Sequence, residues 1–109
     1  MLEQIVAAVE HVESRGDPTA VSRDGCVGLM QINPKWSKYT AEQLKDPEIN
    51  RAEGKRLLRY WYRQARGSWL LTLAAYRCGW GGLKGRCGVK YARVVMARVK
   101  HNKGEAHVR

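Results

Sequence analysis

The chain has 109 residues, with 20 Lys and Arg against 10 Asp and Glu, a formal net charge of +10, and no Phe beside four Trp and five Tyr. That length gives room for one domain and one core, and no apolar run approaches the ~20 residues needed to cross a bilayer. Nor do the first residues read as a signal peptide, since Glu3 replaces the expected positive region and Glu10 and His11 interrupt the apolar stretch.

The pattern predicts an all-α chain without strands, repeats or linkers. A first helix over Leu2–Ser14 stops at Gly16-Asp17-Pro18, because proline excludes a following helical turn. Residues 17–35 form a Gly/Ser/Asp-rich stretch with a short apolar turn at Val27–Ile32, closed by Asn33-Pro34. Thr40 and Gln43 can form a capping box for a short helix. Asp46-Pro47 then supplies an N-cap and a first-position proline for a longer one. That helix is expected to turn Ile49, Ala52, Leu57, Tyr60 and Trp61 inward and to end at Gly67. Ser68 can cap the next helix, Trp69 to about Tyr76, whose apolar composition marks it as buried and central. A glycine-rich loop at 79–88 precedes a last helix with Tyr91, Val94, Val95 and Val99 on one face and Lys90, Arg93 and Lys100 on the other. The tail from His101 onward has no apolar period and is expected to fray.

One residue breaks the pattern of the first helix. Leu2, Ile5, Val6, Val9 and Val12 recur at helical spacing, and at ~100° per residue Glu13 projects inside the arc they cover. Glu3 and Glu10 project to its flank. A carboxylate at the end of an apolar stripe loses hydration, which disfavours its charged form, and a helix C-terminus pushes the same way. A glutamate kept protonated near neutral pH is what a general acid requires. A glutamate at a stripe's edge can also swing into solvent, so Glu13 by itself does not decide the matter.

The residues that follow do. Glu13-Ser14 is succeeded by Ala20-Val21-Ser22, Gly25-Cys26-Val27-Gly28-Leu29-Met30-Gln31 and Pro34. This order and spacing resembles the lytic transglycosylases of the soluble-lytic (SLT) type, relatives of goose-type lysozyme. Leu73-Ala74-Ala75-Tyr76-Arg77-Cys78-Gly79 is similar to the family's Ala-Ala-Tyr-Asn-x-Gly segment, and Tyr91-Ala92 with Val94-Val95 to its C-terminal tyrosine helix. The three blocks span residues 13–95, so the resemblance implies one lysozyme-like domain over 1–109, with a basic tail at about 101–109.

The resemblance also implies a chemistry. Glycoside hydrolysis usually takes two carboxylates, yet Glu13 has no obvious mate: Asp17 and Asp24 read as turn residues before Pro18 and Gly25. In the family a single glutamate protonates the glycosidic oxygen between N-acetylmuramic acid and N-acetylglucosamine. It then takes the proton of the muramoyl C6 hydroxyl as that hydroxyl attacks C1, leaving a 1,6-anhydro sugar. Glu13 is implied as that residue. Ser14 is implied to bond a substrate carbonyl or hold the carboxyl, Gly28 to let backbone approach sugar, and Met30 and Gln31 to line a cleft wall. Tyr76 and Tyr91 match the family's two tyrosines, Arg77 replaces its asparagine, and Trp80 suits a sugar-stacking platform. Trp36, Trp61 and Trp69 read as packing. If water attacked C1 instead, the enzyme would be a hydrolytic muramidase. A basic helical module binding cell wall or nucleic acid without catalysis is the alternative from another class.

The charge itself predicts attraction to polyanions, and its spread through 51–66 and 84–109 suits a generally basic surface. The motifs favour peptidoglycan and acidic wall polymers over nucleic acid. A monomer acting at the cell wall, in the periplasm or outside the cell, is expected; a phage particle or secretion apparatus is a compatible setting. The three cysteines leave one unpaired. Cys26 reads as a small buried filler, while Cys78 and Cys87 bracket the glycine-rich loop and either staple it or remain thiols. The histidines show no ligand spacing with them, so neither a metal nor another cofactor is called for.

Overall fold

The computed structural model describes the backbone of residues 1–108 and the side chains through Gly104. Five α-helices and two single-turn 3-10 helices carry these residues, and two isolated β-bridges replace any strand among them. The chain is therefore all-α. It divides into two compact units, Met1–Lys55 and Arg56–Arg109.

The first unit opens with α1 (Leu2–Ser14), which buries Ile5, Val6, Ala8 and Val9. The helix ends because Arg15 adopts a left-handed conformation (φ 54°), its backbone N–H bonding back to the His11 carbonyl and that of Gly16 to the Glu10 carbonyl. A non-glycine residue accepts that conformation at some cost, and Gly16 follows it at φ 78°. The segment after it has no regular ladder and is organised around Val27. This residue bridges Val21 on one side and Ile32 on the other. Val27 and Ile32 exchange N–H···O bonds of 2.9 and 3.0 Å, and the Gly28 N–H donates to the Ala20 carbonyl at 2.8 Å.

The turn signals act as expected. Asn33 caps the 3-10 turn Pro34–Trp36 by accepting from the Lys35 N–H. Thr40 and Gln43 exchange side-chain and backbone bonds of 2.9 and 3.1 Å, a capping box that leads into the 3-10 turn Gln43–Lys45. Asp46 Oδ1 accepts from the N–H groups of Glu48 and Ile49 at 2.8 and 3.2 Å, and α2 (Pro47–Gln64) begins there.

Helix α2 departs from expectation in what it buries. Ala52 is exposed and Ile49, Leu57, Tyr60 and Trp61 are only half-buried, whereas Asn50, Glu53, Gly54 and Leu58 are buried. The inward arc of the helix holds two polar residues because each has a polar partner in the preceding segment: Asn50 bonds Val27, Met30 and Leu44 backbone, and Glu53 bonds the Ser37 hydroxyl. The helix gives way at Ala65, with Arg66 and Gly67 both at positive φ.

In the second unit Ser68 accepts from the Leu71 N–H at 3.2 Å and starts α3 (Trp69–Cys78), which buries Thr72, Leu73, Ala74 and Ala75. Helix α3 packs against both α4 (Trp80–Leu83) and α5 (Val89–Val108). The expected loop thus contains one helical turn. Gly82 and Gly88 are needed there: a Cβ on either would run into the Ala74 backbone. Helix α5 buries Ala92, Val95 and Val99, while Val94 is 50% exposed. Val94 lies outside the arc that Ala92, Val95 and Val99 cover on the helix. The expectation of a frayed tail is corrected for the backbone, since α5 continues through His101–Val108. Missing apolar period removes packing but not helicity, and Lys103, Glu105 and Ala106 are good helix formers; Arg109 lies outside the described residues.

Candidate functional site

Glu13 occupies the penultimate position of α1 and is half-buried. Ser14, beside it, ties this helix end to the Gly28–Gln31 turn. Its Oγ lies 2.8 Å from the Leu29 carbonyl and 3.1 Å from the Glu10 carbonyl, and accepts from the Gly16 N–H at 3.2 Å. A hydroxyl has one proton to donate, and the shorter contact gives it to Leu29. The two halves of the motif, fifteen residues apart at this bond, are therefore joined directly. Ser14 thus bonds protein backbone on both sides of the motif.

The turn itself is held from beneath by Asn50, which sequence reasoning missed. This side chain is fully buried. Its Oδ1 accepts from the Met30 N–H at 2.8 Å, and its Nδ2 donates to the carbonyls of Val27 and Leu44 at 2.8 and 2.9 Å. Three backbone groups of an irregular segment, otherwise stranded away from water, are satisfied by one amide. Gly28, at φ 82°, has to be glycine because a Cβ would overlap the Asn50 amide and the Leu44 carbonyl. Its close approach is thus to protein, where a close approach to sugar was expected.

Met30 and Gln31 also make contacts within the protein. The Met30 side chain is fully buried, and its sulfur fills the space a Cβ at Gly54 would take. It packs the turn from within. Gln31 sits at φ 54°, an uncommon conformation for a non-glycine residue. Its Nε2 donates to the Ala20 and Gly28 carbonyls at 3.1 and 2.9 Å, so both amide hydrogens serve the loop. The side chain fixes the strained backbone that carries it.

Electrostatics in the first unit are local. Arg51 makes a bidentate pair with Glu10, 2.7 Å from Nε to Oε2 and 3.0 Å from Nη2 to Oε1. The hydrogen bond to Glu10 raises the pKa of the Arg51 guanidinium above its ordinary value. Asp17 accepts from the Thr19 N–H at 2.9 Å and the Thr19 hydroxyl at 2.8 Å, and these bonds hold its carboxyl below the usual range. This is an Asx turn, in keeping with a turn residue at this position.

The second unit holds the remaining predicted residues. Tyr76 on α3 and Tyr91 on α5 are half-buried. The exposed Arg77 guanidinium lies 5.8 Å from the centre of the Tyr91 ring, within the range of a cation–π contact, so the substitution for asparagine is accommodated on a tyrosine face. Trp80 is 53% exposed and meets Trp61 edge-on at 5.0 Å and Tyr60 at 6.4 Å. Cys78 and Cys87 are disulfide-bonded across the turn that carries Trp80, and Cys26 is a half-buried free thiol rather than a fully buried filler. Among the described residues no group of three or more His, Cys, Asp or Glu is placed to hold a metal, and no helix is long and apolar enough to cross a membrane.

The signal for Asn50 was present in the sequence. On a helical projection of α2, Asn50 and Glu53 fall inside the arc of Ile49, Leu57, Tyr60 and Trp61. The test that singled out Glu13 on α1 finds both residues when applied here.

The chain is similar to the endo-type membrane-bound lytic murein transglycosylase A of Klebsiella pneumoniae, with 35% identity over 63 residues, covering 47% of this chain and 31% of that protein. It is also similar to the soluble lytic murein transglycosylase of Escherichia coli K12, with 32% identity over 98 residues, covering 80% of this chain and 15% of that protein. The chain spans a minor part of the length of either relative. Residues 1–94 match the family described as the Transglycosylase SLT domain, and by that match the chain belongs to this family.

Proposed function

We propose that this domain is a peptidoglycan lytic transglycosylase, with Glu13 acting first as general acid and then as general base. The observation that carries the proposal is the Ser14–Leu29 hydrogen bond. It fixes the end of α1 that bears Glu13 against the turn whose sequence defines the resemblance, on a framework braced by a buried amide. A catalytic carboxyl needs that kind of fixed placement.

In the proposed reaction Glu13 gives its proton to the oxygen of the β-1,4 bond between N-acetylmuramic acid and N-acetylglucosamine. The C1–O bond breaks, and the acetamido carbonyl of the muramoyl residue stabilises C1. Glu13, now a carboxylate, takes the proton of the C6 hydroxyl as that oxygen bonds to C1. The products are a 1,6-anhydro-muramoyl end and a free N-acetylglucosamine hydroxyl, and no water is consumed. The tethered nucleophile has the effective-molarity advantage of an intramolecular reaction, so no second carboxylate is required. Tyr76, Arg77, Trp80 and Tyr91 are assigned to sugar binding, and the +10 charge to attraction toward acidic wall polymers. The domain would act as a monomer at the cell wall.

Glu13→Gln keeps the shape but cannot donate a proton, so clearing of purified peptidoglycan should fall by roughly 10²–10⁴-fold. Mass spectrometry of muropeptides released in ¹⁸O-labelled water should find 1,6-anhydro ends without label. Labelled reducing ends would make the enzyme a hydrolytic muramidase. Near-wild-type clearing by Glu13→Gln would remove the assignment of Glu13.

A further inference from the structure

Trp36 was expected to pack, yet it is 81% exposed, the most exposed of the large hydrophobic side chains described. The other three tryptophans each lie against another ring: Trp61 and Trp80 meet edge-on, and Trp69 lies 4.4 Å from Tyr62. Among the described residues no ring or cation is placed against Trp36.

The turn beneath it is nevertheless rigidly built. Pro34 fixes its entry, and the Asn33 side chain accepts from the Lys35 N–H at 3.0 Å. The Trp36 N–H donates to the Asn33 carbonyl at 3.1 Å. On the far side the Ser37 hydroxyl donates at 2.8 Å to Oε2 of Glu53, a carboxylate only 3% exposed, and accepts from the Tyr39 N–H at 3.2 Å. A buried carboxylate is costly and is kept where it holds something in place. Here it anchors the residue next to an indole left in water.

We infer that Trp36 is a glycan-stacking subsite, its indole face covering the apolar face of one aminosugar ring of a β-1,4-linked strand. Three observations favour a sugar over a protein partner. The indole's neighbours along the chain, Lys35, Ser37 and Lys38, are polar rather than apolar. A protein interface is more often centred on contiguous apolar surface, whereas a pyranose offers one apolar face rimmed by hydroxyls. The turn follows directly on the segment of the Ser14–Leu29 contact, joined to it through Ile32, which is bridged to Val27. The exposed Lys35 and Lys38, close to Trp36 in the chain, supply cations of the sign that acidic stem peptides would attract. A fixed aromatic loses little entropy on binding, which gives the brace its purpose. The inference rests on the transglycosylase proposal for the identity of the strand.

The test is isothermal titration of chitotetraose into the Glu13→Gln protein, which does not depend on turnover, and into the same protein carrying Trp36→Ala, Trp36→Tyr or Trp36→Phe. Trp36→Ala should raise Kd about tenfold, the loss expected when one covered ring face is removed. Trp36→Tyr and Trp36→Phe should stay within about threefold of the parent, and thermal unfolding should be unchanged for an indole so exposed. Equal Kd values for Trp36 and Trp36→Ala, or no heat of binding in the parent, overturn the inference. So does a weakened Kd that neither aromatic restores or that comes with a lower melting temperature. Failure of wild-type protein to release muropeptides would end the transglycosylase proposal separately, leaving the titration to decide on Trp36.

Discussion

The two units hold their irregular segments by opposite means. In the first, the segment between α1 and α2 has no crosslink and no ladder, and it is fixed by side chains: Asn50 to three backbone groups, Ser14 to the Leu29 carbonyl, Gln31 to two carbonyls, and Glu53 to the Ser37 hydroxyl. In the second, the shorter segment between α3 and α5 is closed by the Cys78–Cys87 disulfide and seated by glycines against the Ala74 backbone. A long loop has many backbone groups to satisfy and room for side chains to satisfy them. A nine-residue span has neither, so a covalent bond and the absence of Cβ atoms take over. The first unit's integrity should therefore depend on individual polar side chains, and the second's on redox state.

Removing Asn50 is the largest way to break that comparison. Asn50→Ala strands the Met30 N–H and the Val27 and Leu44 carbonyls in a buried setting. Each unsatisfied group costs about 1–3 kcal/mol, so a loss of roughly 3–5 kcal/mol in urea unfolding is expected, with clearing activity abolished at 37 °C. A loss below about 1 kcal/mol would show that the turn holds itself together without the amide.

Reduction addresses the second unit. The disulfide closes a loop nine residues long in sequence separation, for which loop-closure entropy is worth roughly 2–3 kcal/mol. Cys87→Ser, or wild-type protein in dithiothreitol, should lose about that much stability. Because Trp80 rides on the closed turn, the indole emission of Trp80 should shift red. The same reductant added to Cys87→Ser should change nothing further, since Cys26 is an unpaired thiol. Equal sensitivity of both proteins to the reductant would mean that the crosslink is not what holds this turn.

The fold was legible wherever local chemistry decides structure. The caps at Thr40, Asp46 and Ser68 and the ends of α1 follow from residues that bond their own neighbours, and those are visible in sequence. What escaped was which face of α2 turns inward. That face is set by Asn50 and Glu53, whose partners are 20 residues away at Met30 and 16 at Ser37. The site suffered the same limit. Glu13 and Ser14 were singled out by pattern as candidates, but the pattern could not show that Met30 is buried or that Gln31 bonds two loop carbonyls. A motif residue that builds the site and one that touches substrate look alike until backbone partners are known. Trp36 is the converse case, since a tryptophan reads as packing until its exposure is seen.

The smallest expected effect concerns Asp17, which lies in the hydrogen-bonded first unit but on its surface. Its carboxyl accepts from the Thr19 N–H and hydroxyl, and those two bonds lower its pKa in the folded state. A lowered folded pKa contributes stability at pH values above the unfolded value of about 3.9, and loses it as pH falls through the folded value. The sign is thus that any advantage of wild type over Asp17→Asn is full above about pH 4 and fades as the pH falls further, through the lowered folded value. The difference should be slight, because Asp17 is fully exposed and the asparagine oxygen can still accept from Thr19. Ionised at neutral pH, Asp17 has the protonation state of a base that could activate water, so its substitution also bears on mechanism. If the C6 hydroxyl is the nucleophile, Asp17→Asn should clear peptidoglycan within about twofold of wild type and still release 1,6-anhydro ends. A hundredfold loss with an unchanged melting curve would instead assign Asp17 to water activation and turn the proposed transglycosylase into a hydrolase.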